Sequence, residues 1–512
     1  MITNLLKNAS YNTFAQIVTI ILSFLFVPLY ISRLTLSGYG IYCFITQFLG
    51  WIIILQMGIE PAVIHLTAKY YARKQSDDLN RLISMALIVQ FVMSILVAVI
   101  IWLGRGAIVS FIIKDKIEFM HEGTAALNWA AANVVVLMLN SVFVGMLKGL
   151  QRYDISSMVD IGFNLAVTLF TAFVVWIGFG IASMLWVRCA INLVFFSILL
   201  MIIKRNNLFS FDNRLSLALL KEMFDFGSWI VAGRLNRLAI NALPQLLIGK
   251  FVGPSGIAYF NIATKIVLAI NNLLSSAVNV LFPFVSELFS LKDIRSISSN
   301  YLKANKYLSL ISAPIYCFLA IFSYNILSAW LGNETALNTY MLMILMTIGY
   351  YLTSSTMVPT NFALGMGKSK IIAINSLVQI LIIIITLPIL LRIFGINGSG
   401  INLIIFECSS VIIGIIITSN YIHASNFKFW IKDRIVHLII GTIAFLLPYS
   451  LVNHLFPFSS KVYDLLCLAV CFVACTLIYI LITVLMGIID PDVWQQLFNR
   501  IRKTNHENIV VR

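Results

Sequence analysis

Charge is scarce in this chain: only 11% of its 512 residues are Asp, Glu, Lys or Arg, with 20 acids against 35 bases. Soluble domains carry about 25% charged residues, so so few charges cannot cover a water-soluble fold. Also missing is any long polar stretch, since the longest exterior connection expected runs only from Gly104 to Thr124. That excludes a separate domain for donor and acceptor substrates. No P-loop, dinucleotide fingerprint or metalloprotease motif occurs, and Gly367-Lys368-Ser369 has Phe362 where a phosphate loop needs its earlier glycine. No catalytic residue, metal site or cofactor is therefore expected. The seven cysteines lie in apolar segments and form no paired framework, which excludes a disulfide scaffold or zinc site. Cys467, Cys471 and Cys475 share a helix face at four-residue spacing and read as small residues at a packing seam. The net charge of +15 has no basic extramembrane domain behind it, so nucleic acid is not an expected partner.

What is present is hydrocarbon: 60% of residues are hydrophobic and the mean hydropathy is +0.95. A bilayer core of about 30 Å needs roughly 20 apolar residues per helix. Runs of that kind fall near 9–31, 41–68, 83–103, 125–147, 156–177, 181–203, 227–249, 256–286, 308–331, 340–364, 371–394, 400–420, 436–455 and 462–488. Ile371 to Leu391 is apolar on every face, unlike the alternating strands of a membrane barrel. The expectation is an all-α polytopic membrane protein with 14 transmembrane helices. Lys7 precedes the first run, but no small-residue cleavage pattern follows Val27-Pro28-Leu29-Tyr30, so that run reads as a retained helix.

The connections alternate in charge. One set is basic: it holds Lys69, Arg73, Lys74 and Arg81, then Lys148 and Arg152, Lys204 to Lys221, Lys292 to Lys306, Lys368 and Lys370, Lys428 to Arg434, and Arg500 to Arg512. Basic short loops stay in the cytoplasm, which places both termini there. One missed span would invert every later loop, so the regularity of the bias supports the helix count.

Self-similarity near half the chain length points to a duplicated unit. Ser37-Gly38-Tyr39-Gly40-Ile41-Tyr42-Cys43-Phe44-Ile45-Thr46 aligns with Ser255-Gly256-Ile257-Ala258-Tyr259-Phe260-Asn261-Ile262-Ala263-Thr264 at an offset of 218. Gly149-Leu150-Gln151-Arg152 aligns with Gly365-Met366-Gly367-Lys368 at an offset of 216. The repeat preserves topology and is therefore parallel. It divides the chain into a six-helix lobe (1–205), a cytoplasmic linker (206–226), a second pseudo-symmetric six-helix lobe (227–425) and two terminal helices with a tail (426–512).

The segments Asn12 to Gln16, Val27-Pro28-Leu29-Tyr30 and Gly38-Tyr39-Gly40-Ile41-Tyr42 carry a family resemblance, as do Met57-Gly58-Ile59-Glu60-Pro61-Ala62 through Ala68-Lys69-Tyr70 and Lys148-Gly149-Leu150-Gln151-Arg152-Tyr153. They resemble the O-antigen and polysaccharide flippases (Wzx-type) of the multidrug/oligosaccharidyl-lipid/polysaccharide (MOP) exporter superfamily. Where that family usually has an acid before the helix 2 glycine, this chain has Gln56 or Met57, and where it has a base, His65. The resemblance implies a MATE-like, V-shaped pair of lobes around a cavity that opens alternately to each side of a bacterial inner membrane. It also implies the cargo, an oligosaccharide on polyprenyl pyrophosphate serving O-antigen or lipopolysaccharide biosynthesis. Membrane lipid, a polysaccharide polymerase and a chain-length regulator are the accompanying partners.

Ionisable residues inside membrane helices cost roughly 2.5 to 3.5 kcal/mol each on insertion scales, so they tend to face a cavity or a partner. The basic set is Arg188, Arg234, Arg237 and Lys265. Arg234 and Arg237 are three apart, share one helix face, and lie ~10 and ~15 Å into their helix. Guanidinium groups match phosphate oxygens with paired hydrogen bonds, so this set suits an anionic pyrophosphate; pairing with Asp160 or Glu407 is the structural alternative. The acids Glu60, Glu407 and Asp160 are candidates for ion coupling. Glu60 ranks first because Pro61 follows it and should bend helix 2, and Asp160 ranks last because it lies near a helix start.

Rival readings are a drug/cation antiporter, which would favour buried acids over bases, a lipid II flippase of the same superfamily, and a membrane enzyme of polysaccharide assembly. The orientation is directly testable. An alkaline phosphatase fused after Lys116 is expected to be active outside the cytoplasm and one fused after Arg214 inactive; the reverse pattern would overturn the charge reading.

Overall fold

The computed structural model describes residues 18–19, 21–52, 56, 58–113, 118–206, 208–212, 214, 216–422, 427–455 and 461–487. Among them every regular element is helical. In chain order these are α1 (Val27–Ile52), α2 (Ile59–Ala72), α3 (Ser76–Ile112), α4 (Glu118–Gly149), α5 (Tyr153–Ile177), α6 (Ile181–Arg205), α7 (Leu217–Phe251) and α8 (Pro254–Asn279). There follow α9 (Leu281–Ser290), α10 (Ile294–Ile321), α11 (Ser323–Leu331), α12 (Asn333–Gly365), α13 (Ser369–Phe394), α14 (Asn397–Ile417) with a π-turn at Thr418–Ile422, α15 (Phe427–Leu455) and α16 (Lys461–Leu485).

Ten helical stretches among the described residues are long and apolar enough to cross a membrane. They overlap the expected spans 83–103 through 181–203, 256–286 through 400–420, and 462–488; the span expected at 308–331 begins earlier, as Ile294–Ile321, and its last residues form the separate α11. The other four expected spans fall on α1 with the residues before it, on α1 and α2, on α7 and on α15. The second of these, 41–68, is divided between α1 and α2. Between the first two expected spans Thr35 takes φ 64° and ψ 167°, which kinks α1 at the expected boundary, and its hydroxyl accepts from the amide of Gly38 to start the next turns.

The chain forms two compact units. The first comprises residues 1–262 and 376–399. Within it α4 is the hub, packing on α3, α6, α2 and α1. The outward side of α3 presents Phe91, Leu96, Trp102 and Leu103, each at least half exposed. An apolar face of that kind belongs against lipid.

Lipid tails are as apolar as leucine, so burial in oil does not drive one membrane helix onto another, and close packing must do so. The first unit shows how. Gly145 and Gly149 lie one turn apart on α4 and face α2, where a Cβ on Gly145 would stand 3.2 Å from Glu60 O. A Cβ on Gly149 would stand 2.6 Å from Thr67 Cβ and 2.8 Å from Ile64 O. This small-xxx-small seam is sealed by Ile59, Ala62, Val63 and Leu66 of α2 and by Val142, Phe143, Met146 and Leu147 of α4, all essentially buried.

Helix α2 restarts at Gly58, which takes φ 71° and touches Gly227 of α7; a Cβ there would lie 2.4 Å from Gly227 O. Pro61 was expected to bend helix 2. It instead sits in the first turn of the restarted helix, where an amide has no intrahelical acceptor to lose, and the interruption precedes it. At the other end of α2, Lys69 Nζ meets Glu222 Oε1 at 2.6 Å and Tyr70 donates to Glu222 Oε2 at 3.2 Å. The Lys69 hydrogen bond holds the Glu222 carboxyl below the ordinary glutamate range, so this tie persists at neutral pH and is lost only as acid protonates the carboxylate. Arg81 likewise binds Asp212 at 3.3 Å, fastening the segment before α7 to α3.

The second unit comprises residues 263–375 and 400–512. Helix α10 packs on α15 and α12, and α15 packs on α16. Arg434, expected in a basic loop, is buried inside α15 at 5% exposure, because Ser312 of α10 and Ser354 of α12 accept its guanidinium hydrogens.

The α2–α4 seam predicts that Gly149→Ala lowers the thermal unfolding temperature of the detergent-purified protein. Gly106→Ala, whose added Cβ meets nothing within 4 Å, should leave it unchanged or raise it slightly. Equal effects of the two substitutions would contradict the seam.

Candidate functional site

The close approach of α2 and α4 puts two charges side by side. Lys148, in the last turn of α4, reaches Glu60, in the first turn of α2, with Nζ to Oε1 at 3.1 Å. The sequence places Lys148 in a basic connection; α4 runs two residues past the expected end at 147 and keeps it on the helix, beside the glycines that press against α2. The pair lines a cavity of about 220 Å³ within the first unit. Asp160 of α5 lines the same cavity, along with Asn140 and Ser141 of α4 and Asn192 of α6; Phe163, Phe195, Val144 and Leu199 form its apolar wall.

The amides form a relay across α4 and α6. Asn192 Nδ2 donates to Asn133 Oδ1 at 2.5 Å, and Asn140 Nδ2 approaches the Asn192 carbonyl at 3.4 Å. Asn140 Oδ1 is buried without a donor. Asp160 is open and forms no ion pair among the described residues. Two carboxylates with one ammonium leave one negative charge uncompensated when all are ionised. Carboxylate and amide oxygens around such a surplus are the donor set for a proton or a small hard cation.

The other sequence candidates lie elsewhere. Arg188 of α6 is half-buried near Tyr42, and its Nε makes no hydrogen bond. Lys265 is half-buried on α8. Arg234 and Arg237 fall on the α7 backbone, and their side chains lie outside the described residues. Glu407 is buried on α14 at 7% exposure against the hydroxyls of Thr353 and Ser410. His65 stacks on Phe226 with centroids 4.5 Å apart, and Gln56 is buried, its carbonyl facing Gln90. Sequence reasoning missed Lys148, Asn140 and Asn192 as cavity residues. The available signal was Gly145-Met146-Leu147-Lys148-Gly149, a small-xxx-small pattern that implies a close crossing.

Comparison with known proteins supplies independent findings. A family model described as polysaccharide biosynthesis protein matches residues 5–289. A Shigella flexneri protein provisionally named an O-antigen transporter is 19% identical over 406 residues, covering 78% of this chain and 94% of that protein. Among solved structures, the lipid II flippase MurJ in an inward closed conformation superposes with a TM-score of 0.72 and 14% identity over 92% of this chain and 97% of that one. A multidrug resistance MATE family transporter of the MOP superfamily, inward-facing, gives 0.63 and 14% over 79% and 94%. At such identities these structures establish the fold, an all-α, polytopic, MOP-type membrane architecture.

The Glu60–Lys148 contact predicts coupled energetics. Lys148→Met should destabilise by roughly 1–3 kcal/mol, since it strands a partly buried carboxylate, and adding Glu60→Gln should recover much of that loss. Strict additivity in the thermal unfolding of the two single variants and the double variant would show that the pair does not hold the helices.

Proposed function

The chain belongs to the polysaccharide biosynthesis protein family, and from that premise we propose that it is a flippase for polyprenyl-pyrophosphate-linked oligosaccharide, moving O-antigen or a related surface-polysaccharide unit outward across the bacterial inner membrane. The observation that carries the reading is the family match over the first half of the chain. The O-antigen transporter assignment of the Shigella relative and the flippase and exporter folds of the structural neighbours support it.

The physical problem for such a protein is the diphosphate. Its charge cannot cross hydrocarbon alone, whereas the polyprenyl tail can stay in lipid throughout. Arg234 and Arg237 are the proposed diphosphate contacts, with Lys265 and Arg188 as supporting cations, because guanidinium forks satisfy phosphate oxygens. Both termini are proposed to be cytoplasmic, following the basic loops. The polymerase and chain-length regulator are proposed to act on the delivered unit outside.

Alternating access needs a driving element, and the Glu60–Lys148–Asp160 cavity suits one. A proton or monovalent cation arriving at the carboxylates competes with the Lys148 ammonium. It thereby loosens the tie between α2 and α4. Glu407, lodged against hydroxyls in the second unit, is a second proposed coupling group. A drug/cation antiporter would use the same acids but would have no need of the α7 arginine pair.

Deletion of the gene, in a strain with no second flippase, should leave short lipid-linked units unpolymerised. At equal expression, Arg237→Lys should restore polymer in part, Arg237→Gln less, and Arg237→Glu not at all. Normal long polymer in the deletion strain, or full rescue by Arg237→Glu, would contradict the proposal.

A further inference from the structure

The second unit holds a buried cation that nothing in the function above employs. Arg434 donates from Nη1 to Ser354 Oγ at 3.1 Å and to Ser312 Oγ at 3.4 Å, and from Nη2 to the Ser354 carbonyl at 3.3 Å. Its guanidinium lies over the Tyr351 ring at 5.8 Å, and Tyr351 in turn donates to the Arg434 carbonyl at 2.9 Å. No carboxylate pairs with it among the described residues. An arginine cannot shed its charge, so burial of this group calls for a negative partner.

Two donors on the same helix face mark where that partner sits. Arg434 Nε is buried and has no acceptor. His437, three residues on and 1% exposed, has its Nδ1 2.7 Å from the Tyr479 hydroxyl oxygen, while its Nε2 has no partner. In the tautomer that has Tyr479 donating to Nδ1, the single imidazole proton resides on Nε2 and both orphan nitrogens are hydrogen-bond donors; the anion site assigned below requires that tautomer. Positions i and i+3 are neighbours on a helix. Unsatisfied buried donors beside an uncompensated cation form an acceptor site, not a cation site.

We infer that Arg434 and His437 bind a small, singly charged anion of the halide class within the α10–α12–α15–α16 bundle. Ser312 and Ser354 are fully buried and Tyr351 is 8% exposed, so the occupant must shed its water. Dehydration cost grows steeply with charge, which disfavours a phosphate dianion, and a single guanidinium balances one negative charge. The site shares no residue with the Glu60 cavity or with the proposed diphosphate contacts. It does not depend on the flippase reading.

The test uses the full-length protein in detergent at constant ionic strength, with sodium gluconate replaced stepwise by sodium chloride. The unfolding temperature is expected to rise and saturate. Radiolabelled chloride should be retained at about one ion per chain, displaced by bromide and not by inorganic phosphate. His437→Gln and Tyr479→Phe should each weaken chloride binding by about tenfold, as expected for one lost or disordered hydrogen bond. Three results would overturn the site: no difference between chloride and gluconate together with no retained chloride, stabilisation by phosphate in place of chloride, or unchanged chloride affinity in His437→Gln.

Discussion

The crossing of α2 and α4 at Gly145 and Gly149 is the contact on which the first unit depends. In lipid the helices gain little from hiding apolar surface, so the backbone approach that two missing side chains permit supplies the packing. The same approach delivers Lys148 to Glu60 and leaves the opening that Asp160, Asn140 and Asn192 complete. Gly58 extends the arrangement, because its left-handed backbone lets α2 start against Gly227 and sets the depth at which Glu60 sits.

The two units handle intramembrane charge in different ways. The first places opposite charges across a helix crossing and leaves them partly wet, at 28% and 22% side-chain exposure for Lys148 and Glu60. A pair in that setting can be opened by a competing ion at moderate cost, which suits a moving part. The second unit buries Arg434 and Glu407 and surrounds them with neutral groups: Arg434 with serine hydroxyls and a tyrosine ring, Glu407 with Thr353 and Ser410. Burial without a counter-charge is costly and therefore selective, and it favours a bound ion over exchange with bulk water.

Much of the architecture was legible because membrane helices obey a one-dimensional rule: the runs from 83–103 to 181–203 and from 256–286 to 400–420 are long, apolar and punctuated, and each falls on helical chain, although 256–286 is divided between α8 and α9 and 308–331 between α10 and α11. Residues at helix ends were less legible. Lys148 and Arg434 stand in basic stretches that look like loops, and only the third dimension shows α4 carrying one into a cavity and α10 and α12 enclosing the other. The interruption before Gly58 was also hidden, since Pro61 is the stronger local signal while the contact with Gly227 that requires the glycine is 169 positions away in sequence. Among acids, sequence ranking placed Asp160 below Glu60, yet both line the same cavity. Depth along a helix does not reveal which neighbour a side chain faces.

The proposed transport of a lipid-linked sugar across a bilayer can be measured in a purified system. The direct measurement is reconstitution of purified protein into liposomes loaded with polyprenyl-pyrophosphate oligosaccharide, with a membrane-impermeant glycosidase reporting how much sugar becomes accessible with time. The protected half of the lipid is expected to become cleavable in vesicles containing the wild-type protein and to stay protected in protein-free vesicles. Equal protection in both, with the reconstituted protein folded and the vesicles sealed, would contradict the proposed transport.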